Sequence, residues 1–207
     1  RRMRGLAVGI VTNINDPEKM GRVKVKFPWL DDTVESNWAR VTGWYAGASR
    51  GTMFIPEVDD EVMLAFDNGD PNHPYVIGAV WNGKHKVPGP GNTDGKNDHK
   101  WFKSRSGHDL EFLDSSGGEK IRLVDCKAKN SMVMDTAADT ITTEAKSGKI
   151  TISACKTIQI DCVDFNITTS KGRGLTVGAS HTVKVGASRS VSVSQGSFHE
   201  SAGSSYS

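Results

Sequence analysis

The 207-residue chain is short of the residue patterns that mark most chemistry. Its three cysteines, Cys126, Cys155 and Cys162, contain no CxxC pair and are odd in number. That argues against a disulfide framework and a cysteine zinc site, and leaves them as small reduced apolar side chains. The histidines, His73, His85, His99, His108, His181 and His199, are dispersed, with no HxH, HExxH or HxxxH spacing to gather a metal. No stretch approaches the ~18 apolar residues of a membrane span, and Arg1-Arg2-Met3-Arg4 lacks the apolar segment of a signal peptide. Synthesis in the cytoplasm is therefore expected, and a chain opening on arginine is expected to be a fragment of a longer protein. Charge of one sign is missing as well. The formal net charge is +2, with 12 Lys+Arg against 13 Asp+Glu through residue 99 and 14 against 11 afterwards, so neither half is a basic patch for a polyanion. Aromatics run out along the chain: Trp29, Trp38, Trp44, Trp81 and Trp101 all lie in its first half. An apolar fraction of 36% is low for one well-filled core, and the two halves are built differently.

What is present is all β. Residues 5–83 read as short strands, Leu6 to Ile14, Arg22 to Trp29, Trp38 to Trp44, Thr52 to Ile55, Glu61 to Phe66 and Tyr75 to Trp81, with no amphipathic helix. Val23-Lys24-Val25-Lys26-Phe27 alternates cleanly, and Asn15-Asp16-Pro17-Glu18 and Asn68-Gly69-Asp70-Pro71 are turn signals. So many strands in so short a span suit a small barrel, because closure removes exposed edges. Residues 1–83 form this domain. Residues 84–100, rich in Gly, Pro and Asn, read as a linker. Residues 101–131 add the alternating segments Asp109 to Leu113 and Lys120 to Val124 around a Ser-Ser-Gly-Gly turn.

From Met132 to Phe198 the chain repeats about every eight residues, most clearly as LTVGASHT, VKVGASRS, VSVSQGSF from Leu175. The repeat lengthens to nine around Ile141 and Asn166, and residues 199–207 lose the pattern. Each octad is a short strand with two apolar residues, followed by small bend-permissive ones. Such units carry too little core to stand as a single-chain solenoid. Three copies wound about one axis solve this, with Ile150, Ile152, Ile158, Ile160, Leu175, Val177, Val183, Val185, Val191 and Val193 meeting at the centre and Ser, Thr, Lys, His181 and Arg189 outside. Gly178 and Gly186 are expected to let the backbone bend between layers.

Candidate sites do not gather. Lys24 and Lys26 with Trp29, Trp38 and Trp44 would suit single-stranded nucleic acid, but Asp31, Asp32 and Glu35 offset them. Asp59, Asp60 and Glu61 are adjacent, and neighbours on a strand point to opposite faces. No cysteine has a nucleophile's context. No catalytic residue, metal ligand or cofactor site is assigned.

Several ordered motifs carry a family resemblance. GRVKVKFPW from Gly21, WARV from Trp38, FIPEVDDEV from Phe54 and GDPNHPYVIG from Gly69 resemble the OB-fold domain of the central spike of contractile injection machines, which includes VgrG proteins of type VI secretion and phage baseplate spikes. RSGHDLEF from Arg105 resembles the lead into that family's needle, and the octads resemble the needle itself. The resemblance implies an all-β homotrimer, an OB-fold collar followed by a triple-stranded β-helix, with a mechanical, membrane-piercing role and no enzymatic activity. Implied partners are an upstream hub, tube and baseplate proteins and the target cell envelope; the residues give no reason to expect nucleic acid. It also implies assembly into an injection particle or phage tail acting outside the cell. Residues 84–100 leave no room for the lysozyme domain of some phage members, and the HxH tip motif is lacking, so a separate PAAR-like tip protein is expected near Phe198. The rival reading is a trimeric tail-fibre or adhesin module that binds glycans.

Overall fold

A computed structural model of the chain describes residues 3–201 and divides it into two units, the boundary falling after Ile152. In the first unit, β1 (Ala7–Asn13), β2 (Lys24–Phe27), β3 (Asp31–Glu35), β4 (Arg40–Val41), β7 (Glu61–Phe66) and β8 (Pro74–Ala79) form one sheet in the order β3-β2-β1-β7-β8-β4. Neighbours are antiparallel except β4 and β8. Closure comes from an antiparallel bridge between Val23 and Ala39, whose amides donate to each other's carbonyls at 3.0 and 2.7 Å. That bridge brings the entry to β2 against the entry to β4, at the opposite edge of the sheet. The alternation in the sequence sets the inside: Val11, Val23, Val25, Phe27, Ala39, Val62, Leu64 and Val76 are buried, while Lys24 and Lys26 point away between Val25 and Phe27. Each fully buried Val or Leu contributes about 1.5–3 kcal/mol.

Two expected features differ. The run from Thr52 to Ile55 is not a strand; the chain forms a small hairpin instead, β5 (Ala46–Gly47) with β6 (Arg50–Gly51), and then leaves Met53 and Phe54 exposed. Asp31–Glu35, with one apolar residue, does form a strand, held by side chains: Thr12 and Lys24 both donate to the Glu35 carboxylate, at 2.6 and 2.8 Å.

The stretch read as a linker is folded. Asn82 Oδ1 accepts the amides of Lys84 and His85, and the backbone at Gly89 lies so close to Trp101 that a Cβ there would overlap the indole. Beyond it runs an antiparallel meander of β9 (His99–Lys103), β10 (Asp109–Leu113), β11 (Lys120–Val124), β12 (Asn130–Asp135) and β13 (Thr140–Ala145). Its pairing therefore carries past Met132, where the octad reading begins. Within this unit Arg105 Nη1 donates to Glu57 Oε2 at 2.8 Å, and Phe102 meets Trp44 and Phe54, each at a ring separation of 6.1 Å, which ties meander to barrel.

The second unit is extended backbone interrupted by bends at 155–156, 163, 170–171, 178–179, 186–187 and 194–196. Residues 155, 163, 171, 179, 187 and 195 all fall in bends, so the eight-residue period is a conformational one. The irregular tail expected at 199–207 lies, from 202 onward, outside the described residues.

Candidate functional site

In the octads the backbone geometry is that of a strand without a sheet. Among the described residues, no strand pairing extends beyond Ala145, and no backbone hydrogen bond joins residues 153–201 to one another. The apolar pairs are bare too. Ile152 is 76% exposed, and Ile150, Ile158, Ile160, Leu175, Val177, Val183, Val185, Val191 and Val193 are all exposed, as is Phe198. An extended chain with open N–H and C=O groups and a row of β-branched side chains in water has no reason to hold its shape alone. In the single chain both edges of the described octads and their apolar rows are open.

Gly178 and Gly186 do lie at bends, but neither has a positive φ, and the Cys155-Lys156 bend uses no glycine. A Cβ at either glycine would meet nothing within 4 Å in the single chain. Backbone strain is therefore not what selects glycine there.

Groups weighed for chemistry are engaged in structural work or stand apart. Trp29 Nε1 donates to Val8 O at 2.9 Å and its ring leans on Phe27; Trp38 lies beneath Arg22 and Lys24; Trp44, 83% exposed, meets Phe102 edge-on. Asp60 Oδ2 accepts the Glu57 amide at 2.8 Å, closing the turn into β7, and Glu61 Oε2 accepts from Asn82 Nδ2. Among the described residues, no group of three His, Cys, Asp or Glu side chains is placed to hold a metal ion. One signature that the sequence reading missed is Gly47-Ala48-Ser49-Arg50-Gly51, which fits GxSxG. It forms the tip of the β5–β6 hairpin, with Ser49 exposed at φ 55° and no helix following, so the strand-turn-helix context that exposes a nucleophile is not built.

The meander carries a feature that sequence reasoning left unassigned. Glu111, 3% exposed, accepts from Arg122 Nη1 at 2.6 Å and faces His99 Nδ1 at 2.7 Å. This charged cluster lies on one face of the sheet, while the other face is apolar and open. The alternation in β10, β11 and β12 signalled two faces without saying which was covered.

Residues 7–81, from the first residue of β1 to just past the end of β8, match the type VI secretion system/phage-baseplate injector OB domain. The barrel belongs to that family. Over 118 residues the chain is 34% identical to type VI secretion system spike protein VgrG3 of Vibrio cholerae, covering 51% of this chain and 11% of that protein. It is 40% identical over 75 residues to spike protein VgrG1a of Pseudomonas aeruginosa, covering 34% and 12%. A third relative is the actin cross-linking toxin VgrG1 of Vibrio cholerae, 32% identical over 116 residues, covering 51% and 10%. The chain thus spans about a tenth of the length of these curated relatives. The resemblance read from GRVKVKFPW through GDPNHPYVIG falls within this injector OB domain. No helix among the described residues is long and apolar enough to cross a membrane.

Proposed function

We propose that this chain is part of the central spike of a contractile injection machine, a non-catalytic homotrimer with an injector OB collar and, later in the sequence, octads that form a piercing needle. The observation that carries the reading is the unpaired octad backbone with its exposed apolar rows, in the same chain as an OB domain of the injector family. Three copies supply what one lacks: each edge pairs with a neighbour, and the rows close on a common axis. Each Val, Leu or Ile so buried contributes about 1.5–3 kcal/mol. Closure also suits passage through lipid, where every unsatisfied backbone group costs several kcal/mol and a closed set of strands leaves none. Rigidity follows, since opening one layer exposes both core and backbone at once.

On this reading a sheath-driven tube pushes the collar through an upstream hub and baseplate, and the blunt end near Phe198 seats a PAAR-like tip protein. The spike is assembled from cytoplasmic subunits and works outside the cell or in the target envelope. The test is absolute mass by size-exclusion chromatography with light scattering, repeated in SDS without boiling. A species of about three times the 22.4 kDa chain mass that survives SDS is expected. A monomer overturns the proposal.

A further inference from the structure

Counting charge by halves hides where it sits. Residues 165–199 contain Lys171, Arg173, Lys184 and Arg189 and no Asp or Glu, so the remainder of the chain from residue 100 onward holds 10 Lys+Arg against 11 Asp+Glu. The whole positive excess of the second half therefore lies in the later octads. Part of it runs in phase with the backbone. Arg173, His181 and Arg189 each follow by two residues a position that bends, 171, 179 and 187, and so hold the same place in three successive repeats. Every residue from 165 to 199 is exposed. In the first unit many cations are answered by a carboxylate: Arg22 by Asp16 at 2.7 Å, Lys24 by Glu35 at 2.8 Å, Arg105 by Glu57 at 2.8 Å and Lys120 by Asp135 at 2.6 Å. Among the described residues, no ion pair or hydrogen bond engages the side chains of Lys171, Arg173, Lys184 or Arg189.

We infer that the octads from 165 to 199 carry an anion-binding surface whose occupant is the phosphate-bearing face of an anionic lipid bilayer. The needle reading, on which this rests, brings the segment to an envelope, and the charge names what it recognises there. Three observations select the occupant. First, cations with no carboxylate among them repel one another, and an array of fixed anions relieves that repulsion without needing a pocket. The guanidinium fork of Arg173, and of Arg189 two periods on, matches the oxygens of a phosphate. Second, the charges are spread over three repeats instead of converging, which suits a field of headgroups better than one bound phosphate. Four Lys+Arg per chain reach the ~4–8 that draw a segment to an anionic leaflet, and three copies multiply them. Third, residues 166–197 contain no Phe, Tyr or Trp, so the surface has no aromatic platform on which the bases of a nucleic acid would stack. Between the cations stand mostly Ser, Thr, Ala, Gly and Val, and the charged heads are the groups that reach farthest.

Flotation of the full chain with lipid vesicles tests this, comparing phosphatidylcholine alone with phosphatidylcholine holding about 30% phosphatidylglycerol. At low salt at least tenfold more protein is expected to float with the anionic vesicles, and the excess is expected to vanish as salt rises. The double variant Arg173→Gln/Arg189→Gln should cut that excess at least fivefold. Lys84→Gln/Lys96→Gln, which removes the same charge from exposed positions outside the octads, should leave it within twofold. Inorganic phosphate, added at the phosphate concentration of the vesicles and at constant ionic strength, should displace nothing. Circular dichroism and light scattering on each variant separate lost binding from lost folding or assembly. Equal flotation with neutral vesicles overturns the inference, as does an unchanged Arg173→Gln/Arg189→Gln variant or an equal loss in Lys84→Gln/Lys96→Gln. Displacement by inorganic phosphate overturns it by making the ligand a free anion, and tighter binding to duplex DNA at equal phosphate concentration overturns the choice of a membrane. A three-copy species that does not float removes the inference and leaves the assembly standing. A monomer that floats only with anionic vesicles removes the assembly and supports the charged surface.

Discussion

The Asp16 carboxylate, 8% exposed, accepts the amides of Glu18, Met20 and Arg22 and the Arg22 Nε and Nη2 protons, at 2.7 to 3.2 Å. The Arg22 guanidinium holds this carboxyl far below the usual carboxylate range, the three amides acting in the same direction against desolvation. A depressed folded pKa means that the stabilisation is fully present above the unfolded value, about 3.9, and is lost as pH falls through the folded value. Asp31, Glu35, Asp70, Asp125 and Asp135 are shifted the same way by their own hydrogen bonds. Melting temperature followed by tryptophan fluorescence is therefore expected to be flat above about pH 5 and to fall from about pH 4 downward. Asp16→Asn should lower it by roughly 5 °C at pH 7 and flatten part of the acid limb. Gly9 makes a different kind of demand. An added Cβ there would lie 2.7 Å from Leu64 Cδ1, whose side chain is fully buried. Gly9→Val is expected to cost about 1–3 kcal/mol by overpacking, measured by urea denaturation. Neither demand is visible in composition: Asn15-Asp16-Pro17-Glu18 announces a turn but not the reach to Arg22, and spacing alone gives GxSxG to the tip of a hairpin that no helix follows.

At the scale of elements, alternation made β1, β2, β7 and β8 legible, because strands half-buried against one core repeat with period two. It could not reveal β3, whose pairing depends on Thr12, Lys24 and Glu35 in three different strands. Nor could it give the order β3-β2-β1-β7-β8-β4 or the Val23–Ala39 bridge that closes it. In the meander, two faces were readable but their burial was not, since Leu110-Glu111-Phe112 looks like an ordinary strand with its glutamate in water. The structure places that glutamate under Arg122, which is itself 43% exposed. An asymmetry between the two partners follows. Glu111→Gln keeps an acceptor and leaves the arginine to water, at about 1–2 kcal/mol. Arg122→Ala strands a buried carboxylate with only His99, at about 3 kcal/mol. Denaturant melts of both, with the double variant falling short of the sum, would establish the coupling across β10 and β11.

The octads give the molecule a kinetic character of their own. Their period was legible because it is written in the spacing of apolar pairs and, from Leu175, in small residues at the bends, and the structure bends at the same interval. What the sequence could not say is whether the octads pair within one copy, and among the described residues these extended segments have no backbone partner. On the three-copy reading, folding of this region cannot precede association, since each layer draws its hydrogen bonds and its core from other chains. Association should then limit refolding, whereas unfolding, which begins from the finished assembly, should not depend on concentration. After full denaturation, the initial rate at which SDS-resistant species return is expected to rise more steeply than linearly with chain concentration. Val185→Asp, which sets like charges against one another in the core, should slow it by at least tenfold while leaving the barrel's tryptophan signal to recover at the wild-type rate. An initial rate of recovery that rises only in proportion to chain concentration would place the octads' partners inside a single chain, and the needle reading would fail at its central step.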